Sequence, residues 1–215
     1  MIADSIYFNE PWNKTSFIVL DLEGTGSQHK EKEGIVEIAA IEIKQKQLTS
    51  NYFYQLLNPQ IDIPPRISGI HGLKNKDVDD KPIFDIIKLE LLQFINNKIL
   101  VGHNVGVDYR LLKLKMPNYV PTLILDTRKL SKHFFKTEQK HRLDDLIERF
   151  EIRNQLTNLP IKRNRHSAFY DAYATGTIFL QILTEKFPKQ VSLRQIANLC
   201  SINFESKNQY QTTLF

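Results

Sequence analysis

The run Phe17-Ile18-Val19-Leu20 passes without a polar break into Asp21-Leu22-Glu23-Gly24-Thr25-Gly26. A strand that is apolar at nearly every position, rather than at every second one, has no face to give to water. It calls for packed layers on both sides of its sheet. The same strand ends in Asp-x-Glu and a Gly/Thr turn. Carboxylates emerging from apolar surroundings are costly unless something positive meets them. Fold and chemistry therefore meet at one strand end.

The rest of the chain is consistent with one well-cored domain. Its 215 residues are 41% hydrophobic and 25% charged, the balance of an ordinary globular protein. Residues 1–15 lack a clear period and read as an N-terminal arm outside the core. Ile35 to Ile43 and residues 51–57 are β-rich, and short connections favour an antiparallel meander. After Pro59, Pro64 and Pro65, helical spacing runs from about Pro82 to Asn97, with Pro82 suited to a first helical turn. A short strand, Ile99 to Gly102, leads to a helix opening at Asp108. Thr122 to Leu125 is another strand, followed by helical segments near 127–134 and 143–150. Residues 151–165 read as a polar, basic loop. Ser167 to about Lys186 is the longest helix, and Ser192 to Leu199 the last. Strands first, then alternating helices and strands, give an α/β sandwich on a mixed sheet. The domain is expected to span 16–200, with a flexible tail over 201–215.

Composition narrows the compartment and the partner. The formal charge of +5 favours a polyanion. The single cysteine, Cys200, excludes an internal disulfide and suits a reducing cytoplasm. It reads as a small core residue rather than a reactive thiol. No apolar run approaches the ~18 residues a membrane span requires.

Three local settings carry the chemistry. Asp21 and Glu23, two residues apart on a strand, project to the same face. Two such acids do not both stay ionised at close range without a cation. Magnesium and manganese seek oxygen and match an all-carboxylate site, whereas zinc prefers histidine or cysteine. Asp108 follows Val101-Gly102-His103-Asn104, and Asp171 lies five residues after His166 in His166-Ser167-Ala168-Phe169-Tyr170-Asp171. Taken singly, each has an ordinary explanation: a solvated strand end, a helix N-terminal acid, a helix surface acid. Their conjunction in this order does not.

On these residues the chain resembles the DEDD-type 3′–5′ exonucleases with a histidine in the third motif, and most of all the proofreading epsilon-subunit family of bacterial DNA polymerase III. The resemblance runs from about Phe17 to Leu183. It includes Gly34-Ile35-Val36-Glu37-Ile38-Ala39-Ala40, Ile70-His71-Gly72, Asp126-Thr127 and His141-Arg142-Leu143-Asp144-Asp145-Leu146. One departure is Gly24, where the family usually has threonine; it is expected to add flexibility beside the site. The resemblance implies a ribonuclease-H-like fold and two Mg²⁺ or Mn²⁺ ions. Asp21, Glu23 and Asp171 would hold the first ion, with Asp21 bridging to a second that Asp108 supports. His166 would take the proton from the attacking water. Imidazole, with an ordinary pKa near 6.5, suits a base around neutrality.

Gly24, Thr25, His71 and Asn104 match family positions near the terminal nucleotide. Lys140, His141, Arg142, Lys162, Arg163 and Arg165 crowd the approach to His166 and are expected to meet phosphates. Phe169 and Tyr170 are candidates for base stacking, although a helix core can equally claim Phe169. The pentapeptide Gln211-Thr212-Thr213-Leu214-Phe215 resembles peptides that dock on the sliding clamp, with Gln211, Leu214 and Phe215 as anchors. The expected substrate is a single-stranded or frayed 3′ DNA end, with a replicative polymerase as a further partner. An RNA-trimming exonuclease and a non-catalytic binding module on the same fold are the alternatives. Five filled catalytic positions argue against the second.

Overall fold

The computed structural model describes residues 6–26, 32–163, 165–187 and 189–203. A five-stranded sheet runs through the middle in the order β3-β2-β1-β4-β5. Strands β1 (Phe17–Gly24), β2 (Ile35–Lys44) and β3 (Gln47–Leu56) form the antiparallel meander, while β4 (Ile99–Gly102) and β5 (Leu123–Asp126) pair parallel beyond β1. The apolar run at Phe17 is thus the central strand, as its lack of a polar face requires.

Alternation along β1 divides the core in two. Phe17 and Val19 pack into a cluster with α7 (Ala168–Lys186) and α8 (Leu193–Cys200). Ile18, Leu20 and Leu22 face the other way, toward α3 (Phe84–Ile95) and α4 (Gly106–Lys115). Helix α7 is buried along most of its length and lies close to the sheet because Gly176 carries no side chain. A Cβ there would stand 2.8 Å from Leu48 Cδ2 and 3.0 Å from Val19 Cγ2. Phe179, three residues on, packs edge-on against Phe17 with ring centroids 5.3 Å apart. Short helices α1 (Pro65–His71) and α2 (Asn75–Val78) cap one end of the meander, and α5 (Thr127–Phe134) and α6 (Leu143–Arg149) follow β5. Among the described residues no helix is long and apolar enough to cross a membrane.

Several boundaries differ from the sequence reading. Two short 3-10 turns, Ile6–Asn9 and Trp12–Lys14, are not outside the core: Phe8 and Trp12 are buried in the cluster that α7 and α8 share with the sheet. Backbone bonds Trp12 N to Val191 O (3.1 Å) and Leu193 N to Glu10 O (2.9 Å) fasten them there. Strand β3 starts at Gln47, earlier than expected, because its first residues form a polar sheet edge without an apolar period. Pro82 precedes α3 by two residues instead of sitting in its first turn, and α4 starts at Gly106, before Asp108. Within 151–165, Ile152, Leu156 and Leu159 are buried core residues around a 3-10 turn at Arg153–Leu156. Cys200 is buried, and burial pushes its thiol up to about 12, the behaviour of a core residue.

Candidate active site

Parity along β1 decides where the acids go. Asp21 and Glu23 share the side of Phe17 and Val19, the face that α7 covers. Helix α7 begins at Ala168, so Asp171 occupies its first turn directly over them. Carboxylate oxygens of Asp21, Glu23 and Asp171 all lie within 4.8 Å of one another.

Asp108 arrives from the other side. It sits on α4, which packs on the opposite face of the sheet, and reaches round the end of β1. There its Oδ1 accepts the Leu22 backbone N–H at 2.9 Å. It therefore stands next to the triad rather than inside it. Its charge is still felt, since Asp108 is the largest charged contributor to the upward shift of Asp21.

All four acids are held above their ordinary pKa, and burial is the first cause in each. Asp21 is raised well above the usual range, by burial and then by Asp108, Asp171 and Glu23. Glu23 rises to about 9, by burial, Asp171 and Glu37, with Arg163 opposing. Asp108 and Asp171 each rise to about 7; Asp144 adds to the burial of Asp171, and the Leu22 N–H works against that of Asp108. A protein that buries four acids together leaves a deficit of positive charge. The donors are all oxygen, which fits hard divalent cations such as Mg²⁺ and Mn²⁺.

His166 stands at the rim, with its side chain 39% exposed and Nδ1 3.9 Å from Asp171 Oδ2. Its backbone is left-handed at φ 59°, a conformation that side-chain-bearing residues adopt only where their surroundings hold them.

The other expected site residues divide. Gly24 lies just past a register shift in the β1–β2 pairing. A Cβ would meet Leu111 Cδ2 at 3.0 Å and the Gly34 carbonyl at 3.2 Å, a tight fit that asks these neighbours to give by a few tenths of an ångström. Thr25 is buried, and its Oγ1 accepts the Gly34 N–H at 3.0 Å. His71 is buried as well; its Nδ1 accepts the Leu73 N–H at 3.1 Å, which leaves Nε2 to carry the proton. Burial and the Arg163 guanidinium push its pKa down from 6.5, against a smaller pull from the Gly24 backbone. Asn104 is exposed at φ 59°, and its Oδ1 accepts from Arg128 at 3.1 Å. Arg165 pairs with Asp144.

Part of the basic cluster turns inward. His141 is buried between Ser131 Oγ (2.8 Å) and the Glu138 carbonyl (2.9 Å), too enclosed to meet phosphate. Arg163 also points into the protein, toward Glu37 and the His71 carbonyl. Lys140, Arg142 and Lys162 remain exposed. The core claims both aromatics: Phe169 stacks edge-on against Tyr52 and Tyr54, and Tyr170 is buried. Gln211, Leu214 and Phe215 lie outside the described residues.

Two groups escaped the sequence reading. Glu37 is fully buried and pairs across the sheet with Glu23. A lone acid inside the apolar run Val36-Glu37-Ile38 was its signal. Asp126 caps α5 and gathers N–H groups from Asn104 (3.1 Å), Arg128 (2.8 Å) and Lys129 (3.3 Å). It joins the turns after β4 and β5, and so steadies the start of α4 where Asp108 sits.

With this geometry in view, comparison with known proteins is informative. The Exonuclease family model RNase_T matches residues 18–179. DNA polymerase III subunit epsilon of Rickettsia conorii is 30% identical over 207 residues, covering 92% of this chain and 87% of the relative. The PolC-type DNA polymerase III of Caldanaerobacter subterraneus is 31% identical over 192 residues, 88% of this chain, and the chain spans 13% of that polymerase. It spans 20% of the 3′–5′ exonuclease DinG of Bacillus subtilis, at 30% identity. Among solved structures, Exonuclease X in complex with 5′ overhanging duplex DNA superposes with TM-score 0.68 at 25% identity, covering 85% of this chain and 98% of the other. The nuclease domain of 3′hExo, described as a DEDDh family member, shares the fold at TM-score 0.66 and 15% identity, over 88% of this chain and 99% of the other. A family match over most of the chain, on a ribonuclease-H-like sheet with its acids gathered at one strand end, means that this protein belongs to the exonuclease family.

Proposed function

We propose that the protein removes nucleotides from the 3′ end of DNA in proofreading or repair, with two divalent ions in its site. The convergence of Asp21, Glu23 and Asp171 within 4.8 Å carries this reading. Those three would hold one Mg²⁺ or Mn²⁺, and Asp108 with Asp21 would hold a second. Bound there, the ions would supply activation of water and neutralisation of charge at phosphorus. The protein's own groups do the rest. His166, half-exposed beside Asp171, is placed to accept the proton of the attacking water. His71 would meet the terminal nucleotide through Nε2, the ring nitrogen that the Leu73 N–H does not engage. Of the other expected contacts, Asn104 and Arg165 are exposed and would line the approach, whereas Gly24 is closely packed and Thr25 buried.

The DNA preference draws support from relatives named as DNA polymerase III subunits. Residues 211–215 are the proposed contact with a sliding clamp, and a replicative polymerase is a further proposed partner. We place the protein in the cytoplasm, where a lone buried cysteine needs no pairing. The test is release of labelled nucleotide from single-stranded DNA and RNA of one sequence, with magnesium or with chelator. DNA should be shortened from its 3′ end only with magnesium, and His166→Ala should slow this by ~10²-fold. Faster attack on RNA would overturn the DNA assignment, and an undiminished His166→Ala rate would remove the proton acceptor.

A further inference from the structure

Arg163 begins the stretch that delivers His166, three residues ahead of it. Its side chain is 25% exposed, and Nη2 of its guanidinium is spent on internal acceptors. Nη2 reaches the His71 carbonyl at 3.2 Å and Glu37 Oε2 at 3.4 Å. Glu37 is in turn fixed from the sheet, because its Oε1 accepts the Tyr54 hydroxyl at 2.8 Å. The Tyr54 ring packs edge-on against Phe169, in the first turn of α7, with centroids 5.9 Å apart. One chain of contacts therefore joins β2, β3, α1 and the two ends of the segment that holds His166.

That segment needs holding. His166 sits at φ 59°, and no hydrogen bond of its side chain to the rest of the protein is seen among the described residues. A residue in that region relaxes toward ordinary backbone angles unless its flanks are anchored. Downstream, the flank is α7. Upstream, Arg163 provides two anchors at once, both donated by Nη2. A fully buried Glu37 also needs a cation, so the pair is costly to break from either side.

We propose that Arg163, locked by Glu37 and Tyr54, is a positioning residue that sets the reach of His166 toward the scissile phosphate and makes no contact with the substrate itself. The inference rests on His166 as the proton acceptor. Misplacing a base by about 1 Å lowers rates by as much as ~10²-fold without weakening binding.

A double-mutant cycle tests it, with single-turnover rates and KM measured on a DNA oligonucleotide for wild type, Arg163→Met, His166→Ala and the double variant. Arg163→Met should be slowed about 10- to 100-fold with KM unchanged. The double variant should be within about 3-fold of His166→Ala, since a base that is gone cannot be misplaced. Losses that multiply, a raised KM, or a full-speed Arg163→Met would overturn the inference while leaving His166 in its role. A full-speed His166→Ala would instead overturn the reading of His166, and this inference with it. Should Arg163→Met fail to fold, the same cycle is run in a Glu37→Gln background, where no buried carboxylate is left without a cation.

Discussion

Replacing Asp171 by asparagine should make the metal-free protein more stable while ending its activity. The carboxylate is raised from 3.8 to about 7, first by burial and then by Asp144. Between those two values the folded chain keeps a proton that the unfolded chain has released. Stability therefore falls as pH rises through that window and stays lowered above it. Three units at about 1.4 kcal/mol each bound the penalty near 4 kcal/mol at pH 8. Sharing of the strain among Asp21, Glu23 and Asp171 brings the expected gain for Asp171→Asn to about 2–4 kcal/mol, or on the order of 10 °C in Tm for a domain of this size. Thermal unfolding in chelator would be followed at pH 8 and near pH 4. The variant should melt higher at pH 8, the difference should close near pH 4, and excess magnesium should raise wild type more than the variant. If Asp171→Asn melts no higher than wild type in chelator at pH 8, or if the gap ignores pH, burial and the neighbouring acids are not raising Asp171 as the geometry requires.

Two further predictions follow from packing and from the tail. Gly176→Leu would drive a side chain into Val19 and Leu48, so α7 must lift; denaturant unfolding should show a loss of about 1–3 kcal/mol or more, and nuclease activity should fall in step as Asp171 moves off Asp21. Deletion of residues 211–215 should abolish retention on immobilised sliding clamp and leave hydrolysis of a short single strand unchanged; a clamp that still retains the truncated chain would refute the assignment of Gln211, Leu214 and Phe215.

The parts of the fold legible in sequence are those where one residue's neighbours determine its environment. The apolar run at Phe17 announces a central strand, and Asp21 and Glu23 share a face by strand geometry alone. Contacts between distant segments are not written this way. Nothing local says that α4 packs opposite to α7, so the separation of Asp108 from Asp171 became visible only in three dimensions. Arg163 and His141 looked like surface charge because a loop's composition does not say which way its side chains turn. Phe8 and Trp12 hid for a related reason: two isolated aromatics make no period, yet both are buried in the core cluster of α7 and α8. Strand β3 lost its first residues to the same blindness, since a polar edge strand is ordered by backbone pairing with β2 rather than by its side chains.

The division of the acids between two faces of one sheet has a consequence for the order in which the protein becomes active. A chain leaving the ribosome shows Asp21 and Glu23 early, in a meander of neighbouring strands. Asp108 follows only once α4 has docked, and Asp171 and His166 come later still, on a helix near the other end of the sequence. Pairing a segment with one so distant is the slow part of folding. With the acids in the roles proposed above, a half-made copy would have too few ligands to cut, and attack on nucleic acid would wait until both cores are closed.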